Sequence, residues 1–312
     1  MTTARQSVLV KKKNRAGLKT QLEAQSMVWL AIVFLGIFAY IPMYGIKIAF
    51  FDYNIMTGIA GAPFVGFKYF EQFFTDPNLS NVIRNTFVLN ILGLVIGFPA
   101  PIILALMITE LRSTGFKRVA QTVSYLPHFL SWVIFGGLVL EIVSPTGIIN
   151  AGLVSLGLIP KPINFIGQGK NFYAIFTIAS IIKSVGFSSI LFVAAITGID
   201  TDMYEAAMID GCTRFQRIWF ITIPAIMGTI VIMFIFQISA ILNTGIEQLL
   251  VLQNPLNMAY SQTLDTYTYK IGMEQMRFSY STAVGLLKSI VSVVLLVGAN
   301  AASNRLTGKG LF

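Results

Sequence analysis

Six apolar stretches, at about 27–47, 85–109, 122–143, 172–197, 221–242 and 281–302, constrain this chain more than any other feature. A helix rises about 1.5 Å per residue, so about 20 apolar residues cross the ~30 Å hydrocarbon core of a bilayer. Lipid offers no partner to a backbone N–H or C=O, so each stretch is predicted to cross as a helix. Composition agrees, because the 312 residues are 55% hydrophobic and only 11% charged, against about 25% charged in a soluble domain. The expected fold class is an all-α integral membrane protein with six transmembrane helices. Pro42, Pro99, Pro101 and Pro224 fall in or at the ends of these stretches and are expected to kink or bound them. No internal repeat is visible.

The formal charge of +9 raises the question of nucleic acid, but the basic residues form no single face. They gather in the N-terminal tail (Lys11, Lys12, Lys13, Arg15, Lys19) and in alternate loops, a pattern of membrane orientation. With the N-terminus in the cytoplasm, the inside segments hold 13 Lys and Arg and the outside segments seven, so both termini are expected inside. The first apolar stretch is longer than a signal-peptide core and is read as a retained span. The chain then divides into a basic tail (1–26), a membrane domain (27–302) and a C-terminal tail (303–312). The predicted outside loops are long, about 48–84, 144–171 and 243–280, a length that usually carries function or wraps a partner.

The segment between the fourth and fifth stretches, 200–220, reads locally as two short helices. Asp202 is placed to cap the first, with Glu205 three residues on, and Gly211 to end it in the left-handed conformation that glycine adopts freely. Thr213 and Gln216 form a second capping box that opens a helix into the fifth span. Ala206 and Ala207 leave one surface low enough for close approach by another protein. A well-capped interfacial loop is the plainer account of the same spacing.

Glu205-Ala206-Ala207, then Asp210-Gly211, then Pro224 thirteen residues after the glycine, resemble the EAA loop of ABC importer permeases. Three positions depart from that pattern, Cys212, Ile218 and Ile223, and all keep an apolar side chain. The stretches from Gly97 to Leu106, Phe116 to Trp132 and Thr266 to Gly272 are similar to the polysaccharide or aldouronate branch of the carbohydrate permeases, related to the maltose permeases. The resemblance implies a coupling helix that seats in a groove of an ATPase, with Glu205, Ala206, Ala207, Asp210, Gly211, Cys212, Phe215 and Pro224 as the coupling residues. It implies as partners a second homologous permease, two ATP-binding subunits and an extracytoplasmic solute-binding protein, in a bacterial cytoplasmic membrane. The cargo it implies is an oligosaccharide, complex or acidic. The sequence contains no G-x-x-x-x-G-K-[ST] phosphate loop, so ATP and Mg are expected on the partner subunits, and no cofactor or nucleic acid on this chain.

Lys183 and Lys288 lie inside spans, where a lysine is expensive at about 2.5–3.5 kcal/mol on insertion scales. Either they pair with backbone carbonyls or snorkel, or they face a pore and attract sugar carboxylates. Ser180, Ser184, Ser188 and Ser189 supply hydroxyls near Lys183, with Gly186 permitting a bend or close approach, and Gln237 and Asn243 are further pathway candidates. Tyr267, Tyr269 and Phe278 are candidates to contact a glycan or the binding protein, or else form an interfacial aromatic belt. Gly93 and Gly97 are spaced for helix packing. His128, the one histidine, reads as a packing residue, and Glu141, Glu247 and Asp265 show no spacing for catalysis or a metal. A transporter subunit rather than an enzyme follows, the alternatives being the same machine importing a neutral sugar or other solute and, in a different class, an ion-gradient carrier, which would usually show repeated halves with broken helices in matching positions.

Overall fold

The computed structural model describes residues 15–307. The lysine run Lys11–Lys13 and the last tail residues 308–312 lie outside the described residues. Five spans fall where the apolar stretches predict them: Val28–Phe50, Leu79–Thr109, Asn171–Thr197, Arg214–Ser239 and Phe278–Arg305. The described residues are helical apart from loops and one antiparallel bridge between Phe51 and Phe64.

The prolines do not end these spans, which stay helical through them. In three of them a five-residue π-helical turn stands just before the proline: Gly36–Tyr40 before Pro42, Gly93–Gly97 before Pro99, and Ile218–Thr222 before Pro224. In each, the residue ahead of the proline (Ile41, Phe98, Ile223) donates its N–H to the carbonyl five residues back. A proline ring clashes with the carbonyl four residues earlier and offers no N–H, and the wider turn makes room for it without stopping the helix.

The third span differs from its prediction. Length and composition alone select Trp132–Ser155, and the sequence pattern selects 122–143; packing assigns 114–143, built as two half-helices. Thr114–Tyr125 runs along the second half of the fourth span, and Trp132–Val143 continues to the opposite end. There Val139, Leu140 and Val143 pack with Phe172 and Phe176 at the start of the fourth span. Each half has 12 residues, about 18 Å of helix, so the two together span a bilayer. Between them Leu126–Phe129 is a 3₁₀ turn containing Pro127, and Leu130 and Ser131 are extended. The first half closes on the fourth span at Gly186, where an added Cβ would lie 2.0 Å from the Ser124 carbonyl oxygen. Only glycine fits that crossing.

The segments predicted as long outside loops fold into short helices, among them Lys68–Phe74, Ile148–Ser155, Ile246–Leu252 and Leu264–Tyr269. They form a cap at the end of the bundle far from the 200–220 hairpin. Its core joins Tyr69, Phe70 and Phe73 to Tyr267, Tyr280 and Val284. The first span packs on the sixth through its end Tyr44–Phe50, where Ala49 is buried in that core, but none of its apolar window is buried within this chain.

Candidate functional site

Two places concentrate the predicted site residues, the hairpin at one end of the bundle and a cavity inside it. In the hairpin the first helix is Thr201–Ile209, and its cap is Asp200, not Asp202. The Asp200 backbone is extended, and its carboxylate accepts the Asp202 N–H at 3.0 Å. This starts the helix two residues earlier than Asp202 capping would, leaving Asp202 in the first turn. An acidic residue there still complements the helix dipole.

The hairpin turns as expected at Gly211, with φ +77°. The Cys212 N–H reaches the Ala207 carbonyl at 2.9 Å and the Gly211 N–H reaches Met208 at 3.1 Å, closing the helix end. Thr213 and Gln216 form the reciprocal capping box that opens Arg214–Arg217. Tyr204 then hydrogen-bonds Thr222 at 2.9 Å, tying the first helix to the base of the fifth span. Ala207 faces inward and is buried, Cys212 is half-buried, and Glu205, Ala206, Asp210, Gly211, Phe215 and Pro224 are exposed. Ile209 is 87% and Phe215 76% exposed, so the hairpin presents an apolar tip rimmed by acidic side chains. Such a tip is suited to docking into another protein.

The cavity, about 260 Å³, lies among the second, fourth and fifth spans. Ser184, Ser188, Gln237 and Asn243 line it together, with Ser180 beside them. Those four candidates are exposed, on a side that the chain leaves open. Gly93, Gly97 and Phe98 supply further lining, and Gly97 meets Ile181 of the fourth span. Sequence reasoning missed Asn90, whose amide donates to the Thr86 carbonyl at 2.7 Å and to Thr244 at 3.1 Å beside the cavity. An asparagine six residues into the second apolar stretch was the available signal. Thr177 also lines it, with a buried hydroxyl that has no protein partner. The cavity thus offers hydroxyl and amide groups against apolar walls, the chemistry that pairs sugar hydroxyls.

Neither lysine lines this cavity. Lys183 is 7% exposed, and its ammonium donates to the carbonyls of Pro127, His128 and Leu130 at 3.3, 2.9 and 2.5 Å. It also lies 5.3 Å from the centre of the Trp132 ring. These are the carbonyls released where the third span unwinds, so of the two readings for Lys183 the backbone-pairing one describes its position. Irregular backbone at membrane depth survives only when protein or water satisfies it. His128 stacks on Phe187 with ring centres 4.0 Å apart, a packing role. Ser189 is buried, its hydroxyl donating to the Gly186 carbonyl at 2.6 Å.

Lys288 is ion-paired with Asp265, whose other oxygen accepts the Thr244 N–H at 2.7 Å. It lines a groove of about 640 Å³ in the cap together with Asn243, Tyr269 and Phe278. Tyr267 is not available to a glycan or a partner surface. It is 4% exposed, donates to the Asp76 carboxylate and bonds the Tyr280 hydroxyl at 2.8 Å. Burial raises the pKa of Asp76, but hydrogen bonds from Tyr267, Asn78 and Tyr280 outweigh it and hold the carboxyl below its ordinary value. Nearby, Tyr69 is pushed up to about 12 by burial and by its hydrogen bond to Asp52. Among the described residues no cluster of His, Cys, Asp and Glu is arranged to hold a metal.

Known proteins share this architecture. Protein LplB of Bacillus subtilis (strain 168) is 42% identical over 277 residues, covering 88% of this chain and 86% of that one. The polygalacturonan/rhamnogalacturonan transport system permease protein YteP of the same organism is 39% identical and covers 98% of this chain and 96% of its own length. A crystal structure of a bacterial alginate ABC transporter, in complex with an alginate pentasaccharide-bound periplasmic protein, contains a chain that superposes with a TM-score of 0.85. That chain is 35% identical, and the match covers 96% of this chain and all of that one. Residues 97–308 match the family of binding-protein-dependent transport system inner membrane components. With six spans and the hairpin in place, the chain belongs to that family and is a multi-pass permease subunit of the ABC transporter type.

Proposed function

We propose that this chain forms half of the pore of an ATP-driven importer for oligosaccharides, with acidic, uronate-containing chains as the preferred cargo. The observation that carries the reading is the pairing of a protruding, rigidly capped hairpin with a hydroxyl- and amide-lined cavity in the same bundle. Similarity to YteP and to the alginate transporter supports the acidic cargo. A second permease completes the cavity on its open side, and two ATPase subunits bind ATP and Mg. A solute-binding protein delivers the sugar to the cap, near Tyr269 and Phe278. The termini and the hairpin face the cytoplasm, in keeping with the excess of Lys and Arg on that side. Closure of the ATPase pair on ATP moves the hairpin, and Tyr204–Thr222 carries that movement into the fifth span. Each state must differ in its contacts with nucleotide and binding protein for the shift to occur.

A neutral sugar on the same machine is the second reading, because no cation lines the cavity. On the leading reading the carboxylates are selected by the binding protein and merely tolerated by the pore. The test is uptake into vesicles containing the complex co-purified through this chain, with oligogalacturonate and a neutral oligosaccharide of equal length. ATP-dependent uptake of the acidic chain alone supports the leading reading, and uptake of the neutral chain alone supports the second. Uptake driven by a proton or sodium gradient without ATP overturns both.

A further inference from the structure

Behind the hairpin lies a hollow of about 560 Å³ whose charged lining the transport reading does not use. Its charged lining is Arg112, Lys117, Arg214 and Arg217 against one carboxylate, Glu110. Among the described residues the ion pairs are Lys68–Asp52 and Lys288–Asp265, so none of these four cations has a carboxylate in contact. The Nε of Arg217 is buried and without a hydrogen-bond partner. A buried guanidinium N–H left unpaired is costly, and three like neighbours add repulsion. Both penalties are relieved by one anion that accepts several hydrogen bonds.

The height of the hollow identifies the source of that anion. It lies where the second span ends at Thr109, the fourth ends at Thr197 and the fifth begins at Arg214. This is the depth of lipid headgroups. The same turns carry exposed aromatic side chains, Phe116 (60%), Trp219 (62%) and Phe220 (77%), as membrane-interface residues do. Arginine forks match phosphate oxygens, and basic pockets between spans on the cytoplasmic side hold anionic headgroups.

We propose that the hollow walled by Arg112, Lys117, Arg214 and Arg217 binds the phosphate headgroup of an anionic phospholipid. Tyr204 of the hairpin's first helix lines the same hollow, so a bound headgroup braces the hairpin from behind and ties its position to the lipid around it. The inference rests on the orientation proposed above, with the hairpin on the cytoplasmic side, and is independent of which sugar is carried.

The test is native mass spectrometry of the detergent-purified complex, after incubation with phosphatidylcholine micelles doped with phosphatidylglycerol. The wild type is expected to retain phosphatidylglycerol over phosphatidylcholine. Arg112→Gln with Arg217→Gln is expected to lose that preference by roughly fivefold per residue removed. Lys117→Gln alone serves if the double variant does not fold, with about a fivefold loss expected. Equal retention by wild type and a folded variant overturns the site. Displacement of the lipid by millimolar inorganic phosphate overturns the lipid assignment in favour of a free anion.

Discussion

An ammonium group in the middle of a bilayer needs a reason to be there, and at Lys183 the reason is three carbonyls. Pro127 brings no N–H, and the residues around it leave the helix, so the third span exposes carbonyl oxygens there, of which that of Pro127 takes only the Leu130 N–H at 3.3 Å. Lys183, near the middle of the neighbouring 27-residue helix, donates to three of them. Lys183→Met removes those partners, and an unsatisfied buried polar group costs about 1–3 kcal/mol. The purified variant should lose thermal stability, while Lys183→Arg, which keeps several donors, recovers most of it; equal midpoints for wild type and Met would refute this role. Asp76 makes a second residue-scale case. Its carboxyl pKa lies below the ordinary value, so its contribution is present above the unfolded-state pKa, about 3.9, and is lost as pH falls through the lower folded value. Thermal stability of the wild type should therefore fall more steeply with acid below about pH 4 than that of Asp76→Asn.

At the scale of elements, the hairpin was legible because its signals are local. Gly211, Thr213 and Gln216 act within a few residues of themselves, and their geometry appeared as the spacing implied. The start of the first helix was misplaced because Asp200 and Asp202 are chemically equal caps. Only the extended backbone at Asp200 decides between them. Gly211→Val puts a β-branched residue at φ +77°, where left-handed backbone costs about 1–2 kcal/mol. This variant should keep its helical circular dichroism yet lose most ATP-dependent uptake in vesicles. Cys212, half-buried at the turn, should cross-link to an ATPase subunit in transport-competent membranes, and a preparation that transports without any such product would contradict the coupling role. The broken third span was not legible. Its apolar pattern runs on through Pro127, and the partner that satisfies the break lies more than fifty residues away in sequence. The positions of the two lysines failed to show for the same reason, since an apolar neighbourhood does not say which carbonyl or carboxylate a side chain will find.

The whole molecule is incomplete by itself. Its first span buries none of its apolar window against the rest of the chain, and the cavity residues Ser184, Ser188, Gln237 and Asn243 open onto an uncovered side. Removing residues 1–40 should leave the melting temperature of the isolated chain nearly unchanged but sharply reduce the partner permease recovered with it. A large drop in that melting temperature would show instead that the span packs at home. Span number and the approximate placement of five spans followed from hydropathy, because the bilayer imposes a similar length on every crossing, although the second and fifth begin six and seven residues ahead of their apolar stretches. The way the spans meet did not follow, because lipid rewards any apolar surface alike and leaves packing to small residues and polar ties. The interruption at Leu126–Ser131 carries a mechanical consequence. A continuous rod pushed at one mouth tilts at both, whereas a jointed one lets its lower arm swing while the upper arm stays seated against Phe172 and Phe176. The two mouths of the conduit can then move out of phase, with a single ammonium group serving as the pin of the joint.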